Sequence, residues 1–332
     1  MQNSFHIICD HENVRLDVYL SEKLSLTRTK VKDMVEKGHI RVNGKIPKPS
    51  LKTKIPMEIA GEIPEEEPLE LVPENIPLEI LYEDEYLLAI NKPADMVVHP
   101  SFGHSSGTLV NAILAYLKEP AAVQGAERIT KERDGWDELS DSGLKPQASN
   151  LEPAYGAVRP GIVHRLDKGT TGVILIAKDS KTQEMLSGLF RERAVKKTYR
   201  AIVEGNVKKT EWIKKGNIGR HPVERKKMTV LKTGGRTAET GFRVLKALGG
   251  FTYLEAYPKT GRTHQIRVHL AHAGYPIVGD GTYGKRARAL ASRPLLHAYR
   301  IEFDHPLKGM PLKIEAPVPA DMEEFIEKQY KM

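Results

Sequence analysis

The sequence predicts an α+β protein in which a mixed, mainly antiparallel sheet forms a large C-terminal domain behind a small α/β domain. Three observations support this prediction. Segments that alternate apolar and polar residues, as half-buried strands do, recur after residue 78. A continuous apolar run at 173–177 is typical of a strand buried on both faces. An acidic, proline-rich stretch at 61–77 separates the two regions and is predicted to be an extended linker.

Residues 14–60 are predicted to form the small domain. The apolar spacing in its first part indicates a short helix. Thr27 is a suitable N-cap for a second helix, which we expect to stop at Gly38. Asn43-Gly44 follows an apolar–basic–apolar stretch and is a strong signal for a hairpin turn. The domain is therefore predicted to contain two short helices followed by a hairpin.

The large domain is predicted to span residues 78–328. Its patterns indicate, in chain order, two strands about an acidic turn at 78–92, a helix at 108–118, a strand at 173–177, a helix at 180–193, and strands at 197–204, 251–258 and 263–269. Thr108 and Ser180 are the expected N-caps of the two helices. Residues 119–160 are polar, are interrupted by Gly and Pro, and lack a sustained period, so they are predicted to form a long surface loop or insert.

Positive charge is concentrated in two segments of a chain whose formal net charge is +8. Residues 20–54 hold ten Lys and Arg against three Asp and Glu, and residues 190–236 hold fifteen against four. Between them, residues 62–85 hold ten acids and neither Lys nor Arg. Because Lys and Arg neutralise phosphates, this distribution favours a nucleic-acid partner. Solvated charged faces without a partner are the alternative interpretation.

Composition argues against several classes of protein. No apolar run approaches the roughly 20 residues that a membrane-spanning helix needs. The N-terminus lacks a basic start followed by an apolar stretch, so the protein is predicted to be cytoplasmic. A single cysteine, Cys9, cannot form an intramolecular disulfide or a cysteine-rich zinc site. No glycine-rich loop has the spacing of a nucleotide-binding motif.

Three neighbouring histidines, His264, His269 and His272, invite interpretation as a metal site. On the predicted strand at 263–269, the positions of His264 and His269 differ by an odd number, so their side chains would face opposite sides. No Cys or acidic residue lies within that run to complete a ligand set. We therefore predict no metal and no other cofactor.

The segment 161–172 is the leading candidate for chemistry. It is a polar loop, flanked by glycines, that lies directly before the apolar run, where a rigid scaffold can present a reactive side chain. His164 and Arg165 surround Asp167 with positive groups that favour an ionised carboxylate. The residues alone leave a second interpretation open, in which the segment is a surface turn and its side chains make hydrogen bonds within the loop.

Three motifs, in order, resemble those of the RluA-type pseudouridine synthases. They are Gly161-Ile-Val-His-Arg-Leu-Asp-Lys-Gly-Thr-Thr-Gly172, Lys196-Lys-Thr-Tyr-Arg-Ala-Ile-Val-Glu-Gly205 and Thr260-Gly-Arg-Thr-His-Gln-Ile-Arg-Val-His269. A further element, Asn91-Lys-Pro93 with Val97-Val-His-Pro100, also matches. The N-terminal region resembles the S4 RNA-binding domain in Arg15-Leu16-Asp17, Leu20, Thr27-Arg28, Gly38 and Val42-Asn43-Gly44. The S4-bearing branch that acts on large-subunit ribosomal RNA is the nearest resemblance, from which the long insert at 119–160 departs.

The resemblance implies a pseudouridine synthase fold, isomerisation of uridine in RNA without a cofactor, and roles for particular residues. Asp167 matches the catalytic aspartate, although attack on the sugar, addition to the base and removal of a 2′ proton all stay open to it. Tyr199 matches the active-site tyrosine, and Arg262 matches the basic residue that pairs with the aspartate. Arg165 is the candidate to fill the space left by a flipped base. The other expected RNA contacts are His164, Gln265, Arg28, Lys30, Lys32 and Asn43.

Large-subunit ribosomal RNA is the predicted substrate of a monomeric enzyme with no membrane partner. Two alternatives stay open, namely the same chemistry on tRNA and an RNA-binding assembly factor whose catalytic site is idle. The presence of Asp167, Tyr199 and Arg262 together favours the enzyme over the assembly factor. The basic segment 208–232 is predicted to contact the RNA backbone, with a solvated hairpin as the alternative.

Overall fold

The computed structural model describes residues 4–64, 71–99, 106–118, 161–224, 227–284 and 290–330. The predicted insert at 119–160 and the middle of the predicted linker lie outside these ranges. The chain divides into two compact units, residues 1–69 and 70–332.

The N-terminal unit packs two helices against a small antiparallel sheet. Its elements are β1 (Ser4–Ile8), α1 (Leu16–Lys23), α2 (Arg28–Glu36), β2 (Ile40–Val42) and β3 (Glu58–Glu62), with the strands in the order β1-β3-β2. Both predicted helices are present, and the Thr27 side chain accepts a hydrogen bond from the Lys30 backbone N–H at the start of α2. Leu16, Val31 and Ile59 are fully buried between the helices and the sheet. Burial of each such side chain stabilises the unit by about 1.5–3 kcal/mol.

The predicted turn at Asn43-Gly44 is present, but the strand that returns from it is not adjacent. Both residues have positive φ, 46° and 75°, as a two-residue hairpin turn requires. Only Lys45 bridges back to Val42, and the strand that pairs with β2 begins at Glu58. The Asn43 side chain instead accepts a hydrogen bond from the Glu58 backbone N–H at 3.0 Å. The small domain was predicted at residues 14–60. In the structure β1 lies before residue 14, and β3 continues past residue 60.

The C-terminal unit is built on a ten-stranded sheet. Its strands are β4 (Ile80–Glu83), β5 (Leu87–Lys92), β6 (Thr171–Ala177), β7 (Lys196–Glu204), β8 (Glu211–Arg220), β9 (Met228–Leu231), β10 (Arg236–Leu248), β11 (Phe251–Pro258), β12 (Leu296–Asp304) and β13 (Pro311–Glu315). The order is β4-β5-β6-β12-β7-β11-β10-β8-β9, and β13 pairs with β12. Strands β6 and β12 are parallel, and the other pairs of named strands are antiparallel. The sheet is thus mixed and mainly antiparallel, as predicted.

Strand β6 is the third strand from the β4 edge of the sheet and is buried on both faces. The described helices of this unit are α3 (Leu109–Lys118), α4 (Ser180–Glu192), α5 (Gln265–His272) and α6 (Ala320–Tyr330). Ile174 and Ile176 pack in one hydrophobic cluster with residues of α3. Val173 and Leu175 point the other way and pack in a second cluster with residues of α4 and β13. The continuous apolar run therefore reflects contact on both faces, and it fixes the position of the loop that precedes it.

Two local predictions were wrong. The N-cap of α4 is Asp179, whose carboxylate accepts the Thr182 backbone N–H at 2.8 Å, and Ser180 is the first residue of the helix. Residues 265–272 form a helix, whereas a strand was predicted at 263–269. The alternation that suggested a strand failed because apolar Ile266 and polar Arg267 are both buried. Periodicity separates helix from strand only when one face meets water.

The basic segment 208–232 contains the hairpin of β8 and β9, which ends the sheet. Its loop is described except at residues 225 and 226. Among the described residues, no helix is long and apolar enough to cross a bilayer.

Candidate active site

Asp167 lies in a tight turn directly before β6. The Thr170 backbone N–H donates to the Asp167 carbonyl at 3.0 Å, and the Gly169 N–H donates to the Ala94 carbonyl at 2.9 Å. Gly169 has a φ of 85°, which favours glycine. At Gly172 a Cβ atom would lie 2.2 Å from the carbonyl oxygen of Ala298, so only glycine allows β6 to approach β12 this closely. The glycines of the motif therefore build the turn that presents the carboxylate.

The guanidinium that contacts Asp167 belongs to Arg267 on helix α5. Arg267 Nη1 lies 3.3 Å from Asp167 Oδ2, and the Arg267 side chain is only 7% exposed. A bidentate pair with Asp280 fixes the guanidinium, at 2.7 Å from Nε and 2.9 Å from Nη2. Thr282 Oγ1 accepts a further bond from Nη2 at 3.1 Å. Burial opposes the charge of Arg267, but Asp280 and Asp167 outweigh it and raise the pKa of this side chain.

Tyr199 lies on β7 beside the carboxylate. It lines a cavity of about 510 Å³ together with Asp167, Arg262 and Arg267. Burial, and secondly the charge of Asp167, raise the pKa of its phenol well above the usual range. The hydroxyl therefore keeps its proton at neutral pH, so it can donate a hydrogen bond but cannot act as a base.

The cavity thus brings together an aspartate, a buried arginine and an aromatic ring. Over residues 86–272 the chain matches the RNA pseudouridylate synthase family, and over residues 14–58 it matches the S4 domain. The chain belongs to the RNA pseudouridylate synthase family. The RluA-type resemblance is confirmed, and the protein is an isomerase that forms pseudouridine in RNA.

Relatives from several bacteria support this membership. An RNA pseudouridine synthase of Synechocystis is 37% identical, with 94% of this chain and 88% of the relative covered. The ribosomal large subunit pseudouridine synthase D of Neisseria meningitidis is 36% identical, with 93% and 76% covered. The structure of human RNA pseudouridylate synthase domain containing 4 has a TM-score of 0.54 at 23% identity, with 76% of this chain and 93% of the human chain covered. That last similarity concerns the fold.

In this pseudouridine synthase, the partner predicted for Asp167 was wrong. Arg262 was expected to pair with the aspartate, but its Nε donates to the Thr237 carbonyl at 3.1 Å. Arg262 still lines the cavity that contains Tyr199. Arg267 contacts Asp167 because helix α5 begins between the two arginines and directs the Arg267 side chain inward.

His164 lines the same cavity as Asp167, but its imidazole is engaged by the protein, and its contact with RNA stays a prediction. Its Nε2 accepts the Leu175 backbone N–H at 2.8 Å, and its ring stacks on Phe190 with the centroids 4.7 Å apart. Burial, assisted by nearby Lys197, lowers the pKa of His164 to about 3, so the ring is neutral at pH 7. The residue supports the loop that carries Asp167 by bonding to β6.

Gln265 is likewise structural, because its amide has no hydrogen-bonding capacity left for RNA. Its Oε1 accepts from the Thr260 hydroxyl at 2.6 Å and from the Arg262 N–H at 3.0 Å. Its Nε2 donates to the Glu239 carbonyl and to Thr240 Oγ1, both at 3.0 Å. All four positions of the amide are satisfied, and the side chain ties α5 to β10.

The other predicted RNA contacts lie at accessible positions. Asp167 lines a second cavity as well as the one that contains Tyr199. Arg165 is exposed and lines both of these cavities. Arg28, Lys30 and Lys32 all belong to α2. Arg28 pairs with Asp17 at 3.1 Å, and Lys32 pairs with Glu36 at 3.3 Å. The side chains of Arg28 and Lys32 are both more than half exposed. Asn43 uses its side-chain oxygen within the turn described above.

Two buried cations near the site were missed. Lys92, at the end of β5, is fully buried and donates to the carbonyls of Pro93 and Met96 at 2.6 and 2.8 Å. Arg293 is also buried and donates to the carbonyl of Gly169, in the Asp167 turn, at 3.1 Å. Lys92 stood within a motif that we had matched, but Arg293 carried no signal in the sequence.

Proposed function

We propose that this enzyme forms pseudouridine in large-subunit ribosomal RNA, with Asp167 as the nucleophile that acts on a flipped uridine. The observation that carries the proposal is the Asp167 carboxylate, held by a buried arginine at the wall of a cavity that Tyr199 also lines. The S4 domain and the relatives named as large-subunit synthases support ribosomal RNA as the substrate. The location in the cytoplasm and the monomeric state stay predictions.

The reaction requires one glycosidic bond to be exchanged for another. The C1′–N1 bond breaks, a C1′–C5 bond forms, the proton on C5 leaves, and N1 gains a proton. A carboxylate nucleophile can split the exchange into two easier steps. The Arg267 guanidinium, 3.3 Å from Asp167 Oδ2, holds the carboxylate in place at the cavity wall.

Tyr199 is suited to hold the uracil by stacking. Bases that leave a helix are commonly stacked on aromatic side chains, and a cavity of about 510 Å³ leaves room for a nucleoside beside the ring. Because the phenol stays protonated, it can donate to a uracil oxygen or to N1. Arg165, exposed at the rim, is placed to fill the gap in the RNA, which offsets part of the few kcal/mol that flipping costs.

Tritium release from uridine labelled at C5 tests the proposal, because isomerisation replaces that C–H bond. Deproteinised ribosomal RNA and bulk tRNA are incubated separately with wild type, with Asp167→Asn and with Asp304→Asn. The first variant removes the carboxylate charge and keeps its shape, and the second makes the same change at an exposed residue of β12. We expect release from ribosomal RNA by wild type and Asp304→Asn only.

Each other outcome has a definite meaning. Release from tRNA alone would move the substrate to tRNA while keeping the chemistry. Release by Asp167→Asn at the wild-type rate would exclude Asp167 as the nucleophile. Retained RNA binding without release from either RNA, by folded wild-type protein, would favour an RNA-binding assembly factor.

A further inference from the structure

His264 lies between the reactive aspartate and a tyrosine that no motif assigned. Its Nε2 is 3.8 Å from Asp167 Oδ2, and its Nδ1 is 2.8 Å from the hydroxyl of Tyr283. The Tyr283 hydroxyl also accepts the Met228 backbone N–H at 3.0 Å, at the start of β9. The histidine side chain is 22% exposed and lines the cavities on both sides of Asp167.

These contacts are satisfied when the ring proton of His264 is on Nε2. The oxygen of Tyr283 is occupied as an acceptor by Met228, and its single proton can be given to His264 Nδ1. Nε2 then bears the ring proton and directs it toward the Asp167 carboxylate. Burial lowers the pKa of His264, so the ring acts as a neutral donor rather than a cation.

Both contacts to the carboxylate fall on the same oxygen. Arg267 Nη1 and His264 Nε2 approach Oδ2 at 3.3 and 3.8 Å, and within the described ranges no hydrogen bond or ion pair reaches Oδ1. Oδ1 is therefore the atom available to react. A distance of 3.8 Å is longer than a hydrogen bond, as is common in substrate-free sites whose contacts tighten when substrate binds.

The backbone at His264 gives an independent reason to assign a function. His264 is the N-cap of α5 and has a left-handed backbone, with a φ of 55°. Its side chain makes no capping hydrogen bond. Asn or Gly is the preferred residue at such an N-cap, whereas histidine is not. The imidazole takes no part in capping α5 and is used instead for the contacts with Tyr283 and Asp167.

We propose that His264 is a positioning residue, held by Tyr283, that orients Asp167 so that Oδ1 faces the uridine. The proposal rests on the function proposed above for Asp167. It also links β9, at the end of the basic hairpin, to the carboxylate through two hydrogen bonds and the 3.8 Å contact of His264 Nε2.

The first test compares His264→Asn, Tyr283→Phe and the double variant in steady-state tritium release from the RNA that wild type modifies. Asparagine suits the backbone and the N-cap but is too short to span both partners. Phenylalanine keeps the ring beside Arg267 and removes only the hydroxyl. We expect kcat to fall on the order of 10- to 100-fold in each single variant, with KM within about twofold, because a misplaced reacting group slows chemistry without weakening RNA binding. The double variant should lose no more than the worse single variant, because both changes break one chain of contacts.

Chemical rescue separates positioning from a general loss of structure. His264→Gly also suits the left-handed backbone and opens space for free imidazole beside Asp167. Added imidazole should restore kcat at least severalfold in His264→Gly and should not change Asp167→Asn. Full kcat in His264→Asn, with wild type active and Asp167→Asn inactive, would overturn the positioning function while leaving the nucleophile in place. Activity of Asp167→Asn at the wild-type rate would instead remove the function on which the proposal rests.

Discussion

Arg293 Nη1 lies 3.1 Å from the carbonyl oxygen of Gly169, two residues after Asp167. The same guanidinium forms a bidentate pair with Asp321 on α6, with both contacts at 2.6 Å. Helix α6 is therefore connected to the turn that carries Asp167 through one buried arginine.

Replacement of Asp321 should weaken this connection. We expect Asp321→Asn to lower the free energy of unfolding by about 1.5–3 kcal/mol, the range for hydrogen bonds to charged groups. The loss should fall short of that for a fully buried pair, because the Asp321 side chain is 44% exposed. Urea unfolding measures the change, with Asp304→Asn at an exposed position as the matched control. Equal stability of the two variants would show that the contact contributes nothing to folding.

The two arginines of the third motif should respond differently to the same substitution. Arg267→Lys is expected to reduce kcat on the order of 100-fold, because a lysine cannot hold Asp280 in a bidentate pair and reach Asp167 as well. Arg262→Lys keeps a positive charge at the cavity wall and should reduce kcat less than tenfold. Tritium-release kinetics on the same RNA measure both. A larger effect at Arg262 would restore the assignment made from the sequence.

The sequence predicted the helices of the small domain, the buried strand β6 and the mixed sheet, because capping residues and apolar patterns report local contacts. It failed where the decisive contact was distant in the chain. Both the polar and the apolar residues of helix α5 are buried. Its alternation of polar and apolar residues was therefore mistaken for the pattern of a strand. The choice of Arg267 over Arg262 depended on that helix. Arg293 gave no signal, since its partners Gly169 and Asp321 are far from it in sequence.

Motif membership also did not reveal which way a side chain points. Asp167 and His164 belong to one motif and line the same cavity, yet the carboxylate contacts Arg267 whereas the imidazole accepts a hydrogen bond from β6. Gln265 lines the same cavity, but its amide is fully used by the protein. Residue types predicted which side chains gather near Asp167, and only tertiary structure showed which of them the protein itself engages.

Tyr199 should matter more for its ring than for its hydroxyl in substrate binding. We expect Tyr199→Phe to keep KM within about twofold, and Tyr199→Leu to raise it, because base–aromatic stacking contributes about 1–3 kcal/mol. Loss of the hydroxyl should appear in kcat, since the protonated phenol can serve as a donor in the reaction. Steady-state kinetics with both variants separate the two effects. Equal KM values for Phe and Leu would argue against stacking on this ring.

Lys92 should make the free energy of unfolding depend on pH in the alkaline range. Burial, and secondly the charge of Arg293, lower its pKa to about 8, although Asp167 and Asp95 act in the opposite direction. The unfolded chain keeps the ordinary value of 10.5, so between pH 8 and 10.5 it holds a proton that the folded protein has released. Stability therefore rises with pH across that window, by about 1 kcal/mol per pH unit for this one group.

Comparison with Lys92→Met isolates the contribution of this lysine from that of the tyrosines, which also titrate at high pH. Urea unfolding at pH 7, 8, 9 and 9.5 should show that wild type gains stability relative to the variant only above pH 8. The unpaired carbonyls of Pro93 and Met96 add an offset to the variant that does not change with pH. Lys313→Met, at an exposed lysine of β13, is the control and should give a constant difference. A constant difference for Lys92→Met as well would mean that the buried lysine does not release its proton in this range.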